Sequence, residues 1–534
     1  MTARRIASWL LAKKTIWLLV GISCLSALGF ALLDQRGAGL QGWWSYVLLL
    51  LFGCGVIYSL GCIFHVDKRV MVIAFTAFGL RLLVGVALSL LLPVYGYQDE
   101  NAEVTKAGYV FYDAYIRDGQ AWKLAYSPAA LGEAFTGQFS GDQYGGLLAL
   151  SAALYRYLSP DAQRPWLVLI LGATFAGLGV LFLWKASRSW FGDKVANLAA
   201  WIFALYPESV LLGSSQMREP FVFTGVAIAF YALTEMRKKH GWIAGLIMAA
   251  AILFWFQPPL VVATFMAVFG LWLGDPERQA SWRRIFLFAG ILVAGVIVVF
   301  SIWASLPALR DSSVGSIFFT WLEKNFNLQF WFTIRESGQV QKLVKTIGKD
   351  LKLLVVLGYG VSRPVLPAAL ADFSGALIWR VINILRALGW YALAPFLVYG
   401  LFASFRSLVK ERRSQLIWLS LFIWIWVCIS AMNGGADLWD NPRYRTFFIA
   451  WEALLAAWAW HSARSWQDAW LGRWLIVEAG WVLIFTEWYV TRVYLKFLHP
   501  NILLAIAGCL ALAVLVLGGG WWRHKHRKGL ISHP

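Results

Sequence analysis

The chain has 534 residues, 60% hydrophobic and only 14% charged, with a formal net charge of +19. That apolar share excludes a soluble protein of this length. The basic residues sit in short loops between apolar runs, which ties the positive charge to membrane topology and argues against nucleic acid as a partner.

Apolar runs long enough to cross a bilayer as helices recur from end to end, and no ten-residue alternating segments indicate a barrel. The expected fold class is therefore an all-α polytopic membrane protein. The first run follows Arg4, Arg5, Lys13 and Lys14 and is too long for a signal-peptide core, so it reads as a retained helix. Spans are expected at about 15–33, 45–64, 71–94, 166–184, 195–213, 220–236, 241–257, 259–274, 285–305, 386–405, 415–433, 446–461, 474–491 and 501–522, about 14 in all (range 12–14). Cys24, Cys54, Cys62, Cys428 and Cys509 all fall in apolar runs and read as buried thiols. No histidine pair with metal-ligand spacing lies inside a span.

Charge orients the spans. The termini and one set of short loops hold about 25 of the 47 lysines and arginines, so they are expected on the cytoplasmic side with both termini. The opposite face receives Asp99-Glu100, a loop over 98–165, the Ser214–Glu219 connection, a long segment over 306–385, and Asp437–Arg445. Long loops on one face of a bundle are commonly functional. Glu103–Arg117 carries an apolar stripe of helical period, and Leu147–Leu158 is apolar but too short to span; both suit interfacial helices. The segment 351–370 contains Gly358, Gly360, Pro364 and Pro367 and reads as re-entrant or interfacial, because a span there would reverse Arg412 and Arg413.

Four groups on the outer face could carry chemistry. They are Asp99-Glu100; Glu208 with Gln216, Arg218 and Glu219; a basic series that includes Lys342, Lys345 and Arg363; and Asp440 with Arg443 and Arg445. A partly desolvated carboxylate can act as a general base, and arginine can hold a phosphate through paired donors. Each group also has a plain structural reading. Asp99-Glu100 is a solvated helix end, Arg218-Glu219 a local ion pair, the lysines an anionic-lipid contact, and Arg443 and Arg445 snorkelling anchors. Arg81, Glu452, Glu478 and Glu487 lie inside spans, where ion pairs between helices and functional roles compete. Trp439 beside Asp440 could stack on a sugar ring.

The order of these pieces resembles the GT-C superfamily of membrane glycosyltransferases, in the protein mannosyltransferase and lipid A aminoarabinose transferase branch. The resemblance covers about 70–305. It rests on the acidic pair Asp99-Glu100, two interfacial helices in the first outer loop, the basic turn Lys185–Lys194, the alanine-rich run ending in Leu205-Tyr206-Pro207, and the serine-containing connection to Glu219. Arg443-Tyr444-Arg445 is similar to the family more weakly. Two extra helices precede the usual first one, and Gly141-Asp142-Gln143-Tyr144 replaces a proline-rich approach to the second interfacial helix.

The resemblance implies a GT-C-like bundle and an inverting transferase. The sugar donor would be a polyprenyl monophosphate and the acceptor a glycan, lipid or protein. Asp99, Glu100 and Glu219 would be the acidic catalytic residues. Arg218, Lys342, Lys345, Arg443 and Arg445 would serve the donor phosphate. Glu208, Gln216, Asp142, Tyr144 and Trp439 would contact acceptor or sugar. The corresponding division is an N-terminal hairpin over 1–69, a catalytic module over 70–305, an outer-face segment over 306–385 and a C-terminal module over 386–534. No cofactor is fixed by the sequence; carboxylates could hold a divalent metal with waters, but no ligand set is explicit. Two other readings stay open: an envelope polysaccharide polymerase or ligase of another fold, and a transporter, which would show matching broken spans in two halves.

Overall fold

The structure, a computed structural model, describes residues 3–34, 39–96, 102–135, 142–236, 241–274, 352–373, 375–406, 412–433, 440–495 and 501–523. Among them every regular element is helical, and eight helices are long and apolar enough to cross a membrane. In chain order the elements are α1 (Ala3–Leu33), α2 (Leu40–Phe64), α3 (Lys68–Tyr95), α4 (Ala102–Lys106), α5 (Tyr112–Tyr126) and α6 (Gly146–Leu158). There follow α7 (Trp166–Leu205), α8 (Pro207–Gly213), α9 (Glu219–Glu235), α10 (Gly241–Phe256) and α11 (Pro259–Leu273). The last group is α12 (Lys352–Ser362), α13 (Leu366–Ala371), α14 (Leu377–Phe405), α15 (Arg413–Asn433), α16 (Asp440–Arg445), α17 (Ile449–Ser465), α18 (Ala469–Tyr494) and α19 (Ile502–Ala513). The chain is an all-α, multi-pass membrane protein. Leu18, Leu25, Leu48, Phe52 and Leu83 point outward, an arrangement that suits a hydrocarbon solvent.

The bundle has two chemically different ends. At one, Lys185 Nζ donates to the Phe64 carbonyl at 2.9 Å, and the Arg412 guanidinium lies 5.0 Å from the Trp190 ring centre. The basic loops after α2, within α7 and before α15 therefore meet. At the other, Trp379 Nε1 donates to the Gly96 carbonyl at 2.7 Å, and Trp255 Nε1 to the Gly146 carbonyl at 2.9 Å. These bonds fasten the start of α14 to the end of α3, and the end of α10 to the start of α6. The short helices α4 to α6 sit at this second, loop end.

Helices α3 and α7 pack at the centre. Gly85 lets α3 approach closely, since a Cβ there would lie 2.9 Å from the Ser214 carbonyl oxygen and from Leu169 Cδ1. Small residues serve this purpose in bilayers, where burial in lipid gives little drive for helix association. Arg81 of α3 is fully buried nearby. Its Nη1 donates to the carbonyls of Ala77 and Ala204 at 3.0 and 3.1 Å, and its Nη2 to Ser209 Oγ at 3.0 Å and the Phe203 carbonyl at 3.5 Å. Pro207 has no N–H to close the helix onto Phe203, so Arg81 takes up acceptors that the break between α7 and α8 releases.

Several boundaries differ from expectation. The expected spans 166–184 and 195–213 are two helices, the two limbs of α7, which part at a kink at Gly192 (φ 77°); the second ends at Leu205, before Tyr206-Pro207. The single stripe over Glu103–Arg117 is two helices. They part at Gly108 (φ 81°), where a Cβ would lie 2.5 Å from the Ser89 carbonyl oxygen. The span expected from 386 begins at Leu377, because Arg386 is neutralised inside the bundle and does not mark a helix end. The segment 351–370 contains two short helices, as its glycines and prolines suggest. The expected span 285–305 lies outside the described residues.

Candidate functional site

The charged residues of the loop end converge. Glu219 opens α9 and is completely buried; its Oε1 accepts from Arg443 Nε at 2.5 Å. Arg443, on α16, also donates from Nη1 to Asp113 Oδ2 of α5 at 3.0 Å. One turn along α5, the buried Arg117 donates from Nη2 to the Gln216 carbonyl at 2.9 Å. Gln216 holds a positive φ of 47° in the turn before α9. Arg218 Nη1 stands 3.8 Å from Asp142 Oδ1, and its guanidinium lies 4.8 Å from the Tyr144 ring centre. Asp142 is itself fixed, because its Oδ2 accepts from the backbone N–H groups of Leu147 and Leu148 at 3.0 and 3.1 Å, capping α6.

Three carboxylates and three guanidiniums thus gather from α5, the start of α6, the α8–α9 turn and α16. The pairing is uneven. Arg443 is held by two carboxylates, whereas Arg218 touches its nearest one only at 3.8 Å and keeps a buried Nε without an acceptor. Glu219 likewise keeps a buried Oε2 without a donor. These are the open valences of the cluster. Desolvation pushes the Asp113 carboxyl upward, but Arg443, with Arg117 and Arg218 behind it, prevails and holds it below the usual carboxylate range. Burial pulls Arg117 down from its ordinary value, with Asp142 and Glu219 opposing. Burial likewise raises the Tyr144 hydroxyl, which favours its role as a neutral platform under Arg218. Together these groups offer a carboxylate able to accept a proton from a hydroxyl and a guanidinium able to receive an anion.

Of the residues singled out from sequence, Glu219, Arg218, Arg443, Asp142, Tyr144 and the backbone of Gln216 come together here. Arg218 and Glu219 do not pair with each other; each faces a partner from another element. Glu208 stands apart, in a bidentate pair with Arg386 (Nε–Oε2 2.6 Å, Nη2–Oε1 3.0 Å). Arg445 points away from Arg443 and lies over the Trp390 ring. Asp99, Glu100, Lys342, Lys345 and Trp439 lie outside the described residues. Asp99 and Glu100 are bracketed by Gly96 and Ala102, the end of α3 and the start of α4. Among the described residues no three His, Cys, Asp or Glu side chains are grouped as metal ligands.

Sequence reasoning did not single out Asp113, Arg117 or Arg386. The signal for the first two was present: Asp113 and Arg117 are four apart on an interfacial helix, so they share a face. Asp118, on the neighbouring face of α5, ties the loop end together. Its Oδ2 accepts from Tyr109 Oη and Gln163 Nε2, each at 2.6 Å, and its Oδ1 accepts from Tyr155 Oη. A cleft of about 180 Å³ on this side is lined by Trp122, Tyr126, Tyr155 and Arg156, and by none of the charged cluster.

No family model and no curated protein matches the sequence. Among solved structures, the chain is similar to the archaeal oligosaccharyltransferase AglB from Archaeoglobus fulgidus, in complex with an inhibitory peptide and a dolichol-phosphate. Identity is 14% and the TM-score 0.39, over 83% of this chain and 54% of that one. The apo oligosaccharyltransferase of the same organism gives 15% and 0.39 over the same shares. The form tethered to an acceptor peptide gives 16% and 0.38, over 83% and 55%. The chain spans about half the length of these structures. At such values the backbones differ too much to carry fold or activity from one to the other.

Proposed function

We propose that the chain is an inverting membrane glycosyltransferase that moves a sugar from a polyprenyl-phosphate donor to an acceptor at the loop end of the bundle. The observation that carries this reading is the uneven cluster, in which one buried Glu219 oxygen has no donor, while Arg218 has a buried Nε without an acceptor and meets Asp142 only at 3.8 Å. In the reaction a carboxylate accepts the proton of the acceptor hydroxyl as its oxygen attacks the anomeric carbon. The bond from that carbon to the phosphate oxygen breaks, and the phosphate leaves with the electron pair. Arg218 and Arg443 are suited to the charge that develops on the leaving group.

We assign Asp99 as the base, with Glu100 in support, following the resemblance in sequence, and Glu219 as the second acid. Lys342 and Lys345 remain assigned to the donor phosphate, and Glu208, Asp142, Tyr144, Gln216 and Trp439 to acceptor or sugar contacts. The catalytic module is 70–305, to which the 386–534 module contributes Arg443. The short basic loops support a topology with both termini in the cytoplasm and the loop end outside it, and the reading assigns the chain to a plasma (inner) membrane.

The test is transfer in membranes from a defined polyprenyl-phosphate sugar by Asp99→Asn, Glu219→Gln and Arg218→Ala variants present at wild-type level. Removing one catalytic electrostatic group is expected to lower turnover by about 100-fold or more. Wild-type turnover in both Asp99→Asn and Glu219→Gln would refute the assignment of the acids.

A further inference from the structure

We infer that the cleft between α5 and α6 binds the head group of a zwitterionic phospholipid, its phosphate on Arg156 and its ammonium among Trp122, Tyr126 and Tyr155. The cleft has a volume of about 180 Å³, and Ala125 and Pro160 complete its walls. None of the charged groups of the Glu219–Arg443 cluster lines it. That volume lies below the ~300–1,000 Å³ of drug-sized ligand sites, so it suits a head group without its acyl chains. The helices that carry it are short ones of the loop end, which suit the boundary between lipid and water.

Arg156 is fixed by backbone. Its Nε donates to the Ala125 carbonyl at 3.2 Å, and its Nη2 to the carbonyls of Leu124, Ser127 and Ala129 at 2.6, 3.1 and 2.9 Å. Those carbonyls lie at and just past the C-terminus of α5, so the guanidinium caps that helix and cannot swing freely. Capping uses Nε and Nη2 and leaves the Nη1 donors without a partner among the described residues. No described carboxylate neutralises Arg156. Asp161, the next acid along the chain, is taken by Arg164 in bonds of 2.7 and 2.6 Å. An arginine held in this way keeps donors and charge for an anion.

The rings supply the other half of the site. The Trp122 ring centre lies 5.6 Å from that of Tyr126 at 43°, and 5.8 Å from that of Tyr155 at 76°. Rings set at such angles make a corner, not the flat platform on which a sugar stacks. Tyr155 is fully buried and donates from Oη to Asp118, whose carboxylate adds negative charge behind the ring. Aromatic walls backed by a carboxylate attract a cation, an ammonium above all. Tyrosine and tryptophan gather at membrane surfaces in any case, but a belt of that kind needs neither a corner nor a fixed cation beside it. A plain anion leaves the rings unused, and a neutral sugar leaves Arg156 without a counter-charge. A phosphate joined to an ammonium by a short chain serves both.

The experiment uses the full chain, stripped of lipid in detergent, and measures binding by native mass spectrometry and calorimetry. The probes are a short-chain phosphatidylethanolamine, free phosphoethanolamine, and a short-chain phosphatidylglycerol, which keeps the phosphate and lacks the ammonium. Wild type is expected to bind the ethanolamine lipid about 10-fold more tightly than the glycerol lipid. Free phosphoethanolamine is expected to displace the ethanolamine lipid, because the head group is what the cleft holds. Arg156→Gln is expected to weaken binding of that lipid about 10-fold or more. Tyr126→Ala removes a ring that is 76% exposed, so it tests the site without burdening the fold. It is expected to lower the preference for ethanolamine over glycerol about 3-fold, which the loss of a merely structural ring would not do. Should Arg156→Gln not accumulate, the Tyr126→Ala comparison decides alone. Equal binding of the two lipids by wild type, no binding of the ethanolamine lipid, or wild-type affinity and preference in the variants would each overturn the site. Binding of free phosphoethanolamine without the lipid would assign a soluble ligand and overturn it too. The site does not rest on the transferase reading: Glu219→Gln is expected to bind the head group as wild type does, so the two fail separately.

Discussion

Glu208 and Arg386 provide a sharp test of how charge is held in this bundle. Their side chains are 1% and 2% exposed, and two hydrogen bonds of 2.6 and 3.0 Å join them in bidentate geometry. Glu208→Gln keeps the shape and one acceptor but takes the Glu208 charge away from the guanidinium of Arg386. Breaking a buried pair in this way costs about 3–5 kcal/mol. Replacing both residues, in Glu208→Leu with Arg386→Met, removes the pair and the desolvation penalty together. That double variant should be within about 1 kcal/mol of wild type or more stable, giving a coupling energy above about 2 kcal/mol in the cycle. Equilibrium unfolding of the full chain by SDS in mixed micelles, followed by tryptophan fluorescence, measures all four corners. A Glu208→Gln loss under about 1 kcal/mol, or a double variant no better than the worse single one, would refute the reasoning.

Asp118→Leu removes the acceptor of two buried hydroxyls, Tyr109 and Tyr155, at about 1–3 kcal/mol each, and of the half-buried Gln163 amide, and should loosen the loop end, read as faster hydrogen exchange in α5 and α6. Gly146→Ala should destabilise markedly in the same unfolding assay, because the new Cβ would lie 1.8 Å from the Trp255 carbonyl oxygen and backbone must move. Asp113 is lowered in the folded state, so its contribution is present above its ordinary value of 3.8 and fades as pH falls through the lower folded value. The stability difference between wild type and Asp113→Asn should accordingly stay flat from pH 7 to about pH 5 and shrink below about pH 4. A difference that changes between pH 7 and 5 would point to another group.

The membrane class and most helices were legible because apolar runs of bilayer length admit few other structures. Glu219 and Arg443 were legible as charges at one face. Their union was not, since 224 positions separate them and only the packing of α16 against the α8–α9 region brings them together. Arg386 was misread for a related reason. A lone arginine next to an apolar run looks like a boundary until its partner, 178 residues earlier, is known. The split of Glu103–Arg117 turned on Gly108, which ends α4 in the left-handed conformation with its N–H donating to the Thr105 carbonyl and that of Tyr109 to the Val104 carbonyl; a lone glycine in an apolar stripe does not by itself mark such an end.

Arg81 changes what the break between α7 and α8 can do. Interrupted helices in membrane proteins commonly act as joints, because their released carbonyls can be satisfied by water and then exchanged as the segment swings. Here those carbonyls are gripped by a side chain rooted in α3, and Gly213 leaves room for its methylenes: a Cβ there would lie 2.6 Å from Arg81 Cδ. Arg81 bolts the joint from the side of α3. The segment from Pro207 to Glu219, which carries Glu208, Arg218 and Glu219, is thereby anchored to α3 at its start, and α5 and α16 meet it only through side chains, Arg117 to the Gln216 carbonyl and Arg443 to Glu219.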